Sequence, residues 1–322
     1  MVATGDLSYT KDINGAHVQN WGLRNPSGNL NSPGDIRPIY LTGDTGNNAY
    51  VFTNSDKGRI WNTSLKLQKN FKNGLYASIA YNYLNAKDVN SIEAEITGDA
   101  FDFNPNLGDA NNDVLSYSKY GDTHRVIGIV SKKFSFFGEK FPTTIATFFE
   151  YAKGGRFNYT YAGNINGDSS FQNNDLLYIP ESSEVLQMQF EGPGQAEAFE
   201  TYILQDDYLS ENRGQYMDRY GALAPWRGKW DVKILQDFNI QISEEKVNTI
   251  QLSVDILNFG NLINSDWGVV QQPNNLSPIS ISSIDANNVP TYKFDTNLTE
   301  TFGYDSSLNS RWQAQIGLRY IF

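Results

Sequence analysis

Cysteine is absent from the 322 residues. That excludes a disulfide framework and leaves the redox compartment open. Histidine occurs only as His17 and His124, and neither has partners at the spacing of a zinc site or a catalytic dyad. Glycine-rich phosphate loops are missing too, and acidic pairs such as Glu244-Glu245 fall in turn-like sequence. These residues point to no enzyme. Positive charge is scarce: 25 Lys and Arg stand against 36 Asp and Glu, a net charge of -11, which argues against nucleic acid as a partner. No run approaches the ~18 apolar residues of a transmembrane helix. That leaves barrel strands untouched, because each is a weak hydropathy signal. The opening Met1-Val2-Ala3-Thr4-Gly5-Asp6 lacks the basic and apolar regions of a signal peptide. Either a signal has been removed or the chain begins inside a longer protein.

Aromatic residues are plentiful at 14%, with 19 Tyr and 19 Phe. Mean hydropathy is nevertheless low, at -0.48. A β-barrel with wet loops combines the two, and so does an aromatic-rich soluble β-protein. The last twelve residues narrow the choice. From Arg311 to Phe322 every even position is apolar: Trp312, Ala314, Ile316, Leu318, Tyr320, Phe322. The odd positions are Arg, Gln, Gln, Gly, Arg and one Ile. A strand sends alternate side chains to opposite faces, so this stretch has one greasy face and one wet face. Soluble strands usually run ~5–6 residues, whereas a bilayer crossing takes ~9–11 tilted ones.

The same alternation recurs. Val2 to about Ile13 is a loose strand, and a loop rich in Asn, Gly, Pro and Ser runs on through Asn54. Arg59–Phe71 and Leu75–Ala86 alternate strongly around Lys72-Asn73-Gly74, a tight-turn sequence. An acidic loop, about 87–119, follows. Asp122–Phe136 and Pro142–Tyr161 flank Gly138-Glu139-Lys140, but Ile127 and Phe148 fall on the wrong parity, which predicts a bulge or register shift. The longest loop spans about 162–225, and within it Gln195–Leu209 has helical character. Trp226–Ile240 and Val247–Phe259 form the next pair, and a last loop, about 260–309, leads to the final strand. The expectation is an all-β fold of about eight antiparallel up-and-down strands, with short and long connections in strict alternation. Transmembrane barrels show this asymmetry, with short periplasmic turns and long extracellular loops.

Several phrases carry a family likeness. They include Asn54-Ser55-Asp56-Lys57-Gly58, Leu65-Lys66-Leu67-Gln68-Lys69, Gly74-Leu75-Tyr76-Ala77-Ser78 and Tyr81-Asn82-Tyr83. Further on come His124-Arg125-Val126-Ile127-Gly128, Arg213-Gly214 with Pro225-Trp226, and Asp255-Ile256-Leu257-Asn258-Phe259-Gly260-Asn261-Leu262-Ile263-Asn264. Asn164-Ile165-Asn166-Gly167-Asp168 with Asn174-Asp175-Leu176-Leu177-Tyr178-Ile179-Pro180 belongs to the same set. Together they resemble the C-terminal barrel portion of Oar-like TonB-dependent receptors of the Bacteroidetes outer membrane. The likeness covers most of the chain. It implies that residues 1–322 are part of a plugged barrel of about 22 strands. It also implies a place in the cell outer membrane, with outer-membrane lipid, the barrel insertion machinery and, through a plug, the TonB system as partners. The plug, the TonB box and the earlier strands are not found here, and the resemblance puts them upstream. Two other readings stand beside it: a complete eight-stranded barrel acting as adhesin or anchor, and a soluble calcium-binding β-protein. The last requires Trp61, Leu65, Ile79, Ile234 and Leu318 to be buried against protein.

One stretch suggests a ligand. Asn164–Asp175 puts side-chain oxygens at positions 1, 3, 5 and 12 of a twelve-residue segment: Asn164, Asn166, Asp168 and Asp175. An EF-hand loop spaces its calcium ligands in this way, although its position 6 is Gly, here Ser169, and its position 12 is usually Glu. The alternative is an Asx-rich surface turn with no metal. From Phe157 to Asn212 there are ten acids and no Lys or Arg, which reads as a solvated acidic loop or a surface for cations. Lys229, Asp231, Lys233, Asp237, Arg311 and Arg319 fall on wet faces, as a charge network lining a barrel interior. The terminal Phe322 resembles the signal read by the barrel insertion machinery. Deleting Phe322 from the full-length protein is expected to lower the amount inserted, measured by protease accessibility at the cell surface. Unchanged surface levels would remove that role.

Overall fold

The computed structural model describes residues 1–322 except 24, 41–47, 93, 137, 139, 169, 171 and 245. The protein is mostly β. One nine-stranded antiparallel sheet holds the long strands β1 (Val2–Lys11), β2 (Arg59–Asn70), β3 (Leu75–Asp88), β4 (His124–Phe134), β5 (Thr143–Lys153), β6 (Trp226–Gln241), β7 (Val247–Leu257) and β8 (Gln313–Ile321). Each pairs with its neighbours in sequence order, and the two-residue strand Ser116–Tyr117 adds a side branch on β3. β1 and β8 end the path, and among the described residues no register joins them. Connections at one end of the sheet are short (71–74, 135–142, 242–246) and at the other long (12–58, 89–123, 154–225, 258–312). At the first short turn only Gly74 has positive φ, at +77°. The Asn73 carboxamide closes this turn by accepting from Leu75 N at 3.3 Å.

Cross-strand partners share a face, so the registers fix which side chains lie together. Gly5, Leu65, Tyr81, Val126, Tyr151 and Gly228 form one row across six strands. Ile145, Ile234, Val254 and Ile316 form another across four. Trp61, Ile79, Val232, Leu252 and Leu318 share this face by the same parity. Gly128 leaves room for the Phe149 ring of its cross-strand partner to lie over it, where a Cβ would collide. The soluble reading requires five side chains on this face to be buried against protein, and among the described residues they are not. Trp61 is 45% exposed, Leu65 58%, Ile79 48% and Leu318 77%, with Ile234 only half-buried.

Ile127 and Phe148 need no bulge. The β3–β4, β4–β5 and β5–β6 registers run without a shift, and both residues lie on the polar face. The strand expected over 142–161 stops at Lys153, where Gly154-Gly155 interrupts it. The turn at Glu139 and the second residue of the Glu244-Glu245 pair lie outside the described residues.

The buried apolar core sits in the long connections. Tyr159, Ile179, Phe199, Ile203 and Leu209 are fully buried, and they cluster with Leu30, Ile279, Tyr292 and Phe294 from distant loops. Burying each such side chain contributes about 1.5–3 kcal/mol. The segment 162–225 is therefore a folded layer. It contains α2 (Ser182–Val185), α3 (Gln195–Gln205) and α4 (Asp207–Glu211). The helix expected over 195–209 is broken at Asp206, which caps α4 by accepting from Leu209 N at 2.7 Å. A smaller cluster of Val18, Ala100, Phe101 and Ala110 packs α1 (Thr97–Asp102) on the hairpin Gly15–Asn20/Tyr50–Ser55. Among the described residues no helix is long and apolar enough to cross a membrane, which says nothing of strands.

Asp206 also accepts from the Tyr159 and Thr301 hydroxyls, both at 2.7 Å, so three donors depend on it. Asp206→Ala leaves them unsatisfied and is expected to cost about 2–4 kcal/mol. Near-UV circular dichroism of the loop tyrosines under urea should show the earlier transition. An unchanged midpoint would contradict the account of this core.

Candidate functional site

The four oxygen-bearing residues at 164–175 do not act as one set. Asn164, Asn166 and Asp168 fold around each other, and Ser169 lies outside the described residues. Gly167 N donates to Asn164 Oδ1 at 2.6 Å, and Asp168 N donates to Asn166 Oδ1 at 3.0 Å. These are Asx turns, in which a short polar side chain bonds backbone just ahead of it. The Asp168 carboxylate accepts from Ser170 N at 3.1 Å, from Asn166 Nδ2 at 3.3 Å and from Asn164 Nδ2 at 3.5 Å. Asp168 is completely buried, and no cation pairs with it among the described residues.

Asp175 is turned elsewhere. One oxygen accepts from Ile165 N at 3.0 Å, and the other faces the Arg37 guanidinium at 3.5 Å. Arg37 is itself buried and clamps Asp35 through Nε at 3.0 Å and Nη2 at 2.9 Å. Its Nη2 also donates to the Leu176 carbonyl at 2.8 Å, and the guanidinium lies over the Tyr161 ring at 4.7 Å. The Tyr161 and Tyr216 hydroxyls complete the Asp35 shell at 3.1 and 3.0 Å. This knot ties the first long connection to the third. The sequence reading missed it, since a lone Asp35-Ile36-Arg37 in polar sequence has no periodic signal.

Asp102, at the end of α1, was also missed. It is completely buried, and neither carboxylate oxygen makes a hydrogen bond of normal geometry. It stands beside the Ser170 hydroxyl and within electrostatic reach of Asp168. Burial pushes its carboxyl up to about 6, with the Asp168 and Asp99 charges adding to the rise against the Ser170 hydroxyl. Burial likewise raises Asp168. Asp175 is pushed up to about 7, because burial and the Asp168 charge outweigh Arg37. Arg37 already has Asp35 as its close partner, so Asp175 gains only part of its charge.

The remaining acids of the 157–212 stretch are not uniformly solvated. Asp206 is buried with Asp168 and Asp175, and Glu200 pairs with Arg213 at 2.8 Å. Glu184 closes a capping box with Glu181. Among the described residues no three His, Cys, Asp or Glu side chains are arranged to hold a metal. His124 Nδ1 meets the Tyr81 hydroxyl at 2.8 Å, and His17 Nε2 meets the Asn111 carbonyl at 3.0 Å.

Of the charges expected on the polar face, Lys233 is in an ion pair, and two further pairs stand with it. Lys233 bridges Asp255 at 2.7 Å, Arg125 bridges Glu150 at 2.7 Å, and Arg227 bridges Asp122 at 2.9 Å. Asp237 accepts from Gln251 at 2.8 Å, and Asp231 accepts from Asn258 N at 2.7 Å. Arg311 donates to the Ser306 carbonyl at 3.1 Å. The chain matches no protein-family model, no curated protein and no solved structure.

The raised carboxyls give a signed pH dependence. An acid whose folded pKa exceeds its ordinary 3.8 binds more protons folded than unfolded between the two values. Stability then falls as pH climbs through that window. In chelator, the loop layer should melt at a higher temperature at pH 5 than at pH 8, read by near-UV circular dichroism. A Tm that rises from pH 5 to pH 8 would contradict the burial of these acids.

Proposed function

We propose that the chain is part of the β-barrel of an outer-membrane transporter, of the TonB-dependent receptor kind, serving uptake of a large or scarce nutrient. The observation that carries this reading is the uncovered apolar face running across all the long strands of the sheet. Water penalises such a face at roughly 25 cal/mol per Å² of apolar surface. A barrel wall places it against lipid and turns the paired charges of the other face to a wet interior. Short turns at one end and folded loops at the other agree with periplasmic and extracellular sides. A self-closed eight-stranded barrel requires β1 to pair with β8, and the registers contain no such pair. On this reading the edges of β1 and β8 meet further strands of a wider barrel. Its partners are outer-membrane lipid, the barrel insertion machinery and, through a plug outside these residues, the TonB system.

The buried oxygens at Asn166 and Asp168, with the exposed Asn164 beside them, favour a second, narrower role, a calcium ion that holds the loop layer together. The transporter reading is tested by tryptophan fluorescence of the full-length protein in bilayers of brominated lipid. Single-tryptophan variants retaining Trp61 or Trp312 should be quenched strongly. One retaining Trp21, in the first long connection and 70% exposed, should not. Equal, weak quenching of all three would sink the membrane assignment.

A further inference from the structure

The calcium reading leaves an electrostatic debt in the loop layer. Asp168 receives only neutral donors: one backbone N–H and two carboxamides. Its twelfth-position counterpart, Asp175, accepts from Ile165 N at 3.0 Å and faces the Arg37 guanidinium at 3.5 Å, so its charge is partly taken. With Asp175 shared by Arg37, the loop alone offers little charge to a calcium ion, and affinity in such loops follows the number of charged ligands. On the other side of Ser170 stands Asp102, from a different connection. Ser170 touches both acids: its N–H bonds Asp168, and its hydroxyl lies beside Asp102. Asp102 is completely buried, neither oxygen makes a hydrogen bond of normal geometry, the Ser170 hydroxyl is the one donor beside it, and no cation pairs with it among the described residues. A buried ionised carboxylate without hydrogen bonds or a counter-charge is a costly arrangement. Asn106, one turn further on, and Asn174 also bury both amide groups without a partner. A backbone bond from Asn106 N to the Asn174 carbonyl, 2.8 Å, joins the two connections at this point.

Resting on the calcium reading, we infer that Asp102 is a further acidic ligand: a hard divalent cation, calcium by its all-oxygen surroundings, is bound between Asp102 of α1 and the residues Asn164, Asn166, Asp168 and Ser170. Neutral oxygens come from Asn164, Asn166 and the Ser170 carbonyl, which accepts from Asn164 Nδ2 at 2.8 Å. Thiolate and imidazole are absent from this set, which disfavours zinc and copper. Bound there, the ion staples the second long connection to the third. The acid at position 175 is then a structural partner of Arg37, and the site differs in composition from the one its spacing suggests.

Calcium titration by calorimetry, on the 322-residue chain in detergent, separates the possibilities. Three proteins are compared: unaltered, Asp102→Asn and Asp99→Asn. Asp99 lies on the same helix and is only half-buried. Asp102→Asn should weaken calcium binding about tenfold or more, while Asp99→Asn changes it about threefold or less. In chelator, Asp102→Asn should melt no lower than the unaltered chain, because it removes an unpaired buried charge. Equal weakening by both variants would mean a long-range charge effect and overturn Asp102 as a ligand. A lower Tm for Asp102→Asn in chelator would overturn it too, by showing that the carboxylate already has structural partners. Calcium binding untouched by Asp102→Asn would end this inference but spare the loop reading. No calcium heat from the unaltered chain would end both.

Discussion

A strand's two-residue period is the constraint on which everything else hangs. Once Trp312, Ala314, Ile316, Leu318 and Tyr320 alternate with polar residues, the backbone must put them on one side. Antiparallel pairing without register shifts then carries that side through every long strand. Among the described residues no helix or second sheet buries this face, and the buried apolar clusters lie in the loop layer. Two hydrophobic systems result, one packed and one waiting for an apolar solvent. That division is the physical content of the transporter proposal.

The loop layer is held by charge as much as by apolar packing. Arg37 reaches across two connections, and four oxygens and two aromatic rings share this one buried cation. A broken pair of this kind leaves an uncompensated buried charge, so the knot fixes how the connections meet more than it adds net stability. Asp206 does the same work with neutral donors.

Strands were legible in the sequence because alternation is local. Arg59–Asn70 and Trp226–Gln241 could be placed to within a residue from side-chain parity alone. Parity also misled at Ile127 and Phe148, where apolar residues simply occupy the polar face of an unbroken ladder. The loop core was hidden for the opposite reason. Leu30, Phe199 and Phe294 meet only after the connections fold on each other, and no short window reports contacts at that separation. Acidity gave a false cue as well, since Asp168, Asp175 and Asp206 are buried although their stretch looks solvated. The spacing from Asn164 to Asp175 was visible, but the approach of Arg37 to Asp175 and of Asp102 to Ser170 depends on residues far away in the chain.

The absence of cysteine makes the central claim directly measurable. Single cysteines placed in turn along Gln313–Ile321 of the full-length, membrane-reconstituted protein can each carry a spin label. Relaxation by oxygen reports contact with lipid, and relaxation by a water-soluble nickel chelate reports contact with water. Positions 314, 316, 318 and 320 should be oxygen-accessible, and 313, 315, 317 and 319 chelate-accessible, alternating with a period of two. Chelate access at every position, or the opposite alternation, would contradict a lipid-facing sheet.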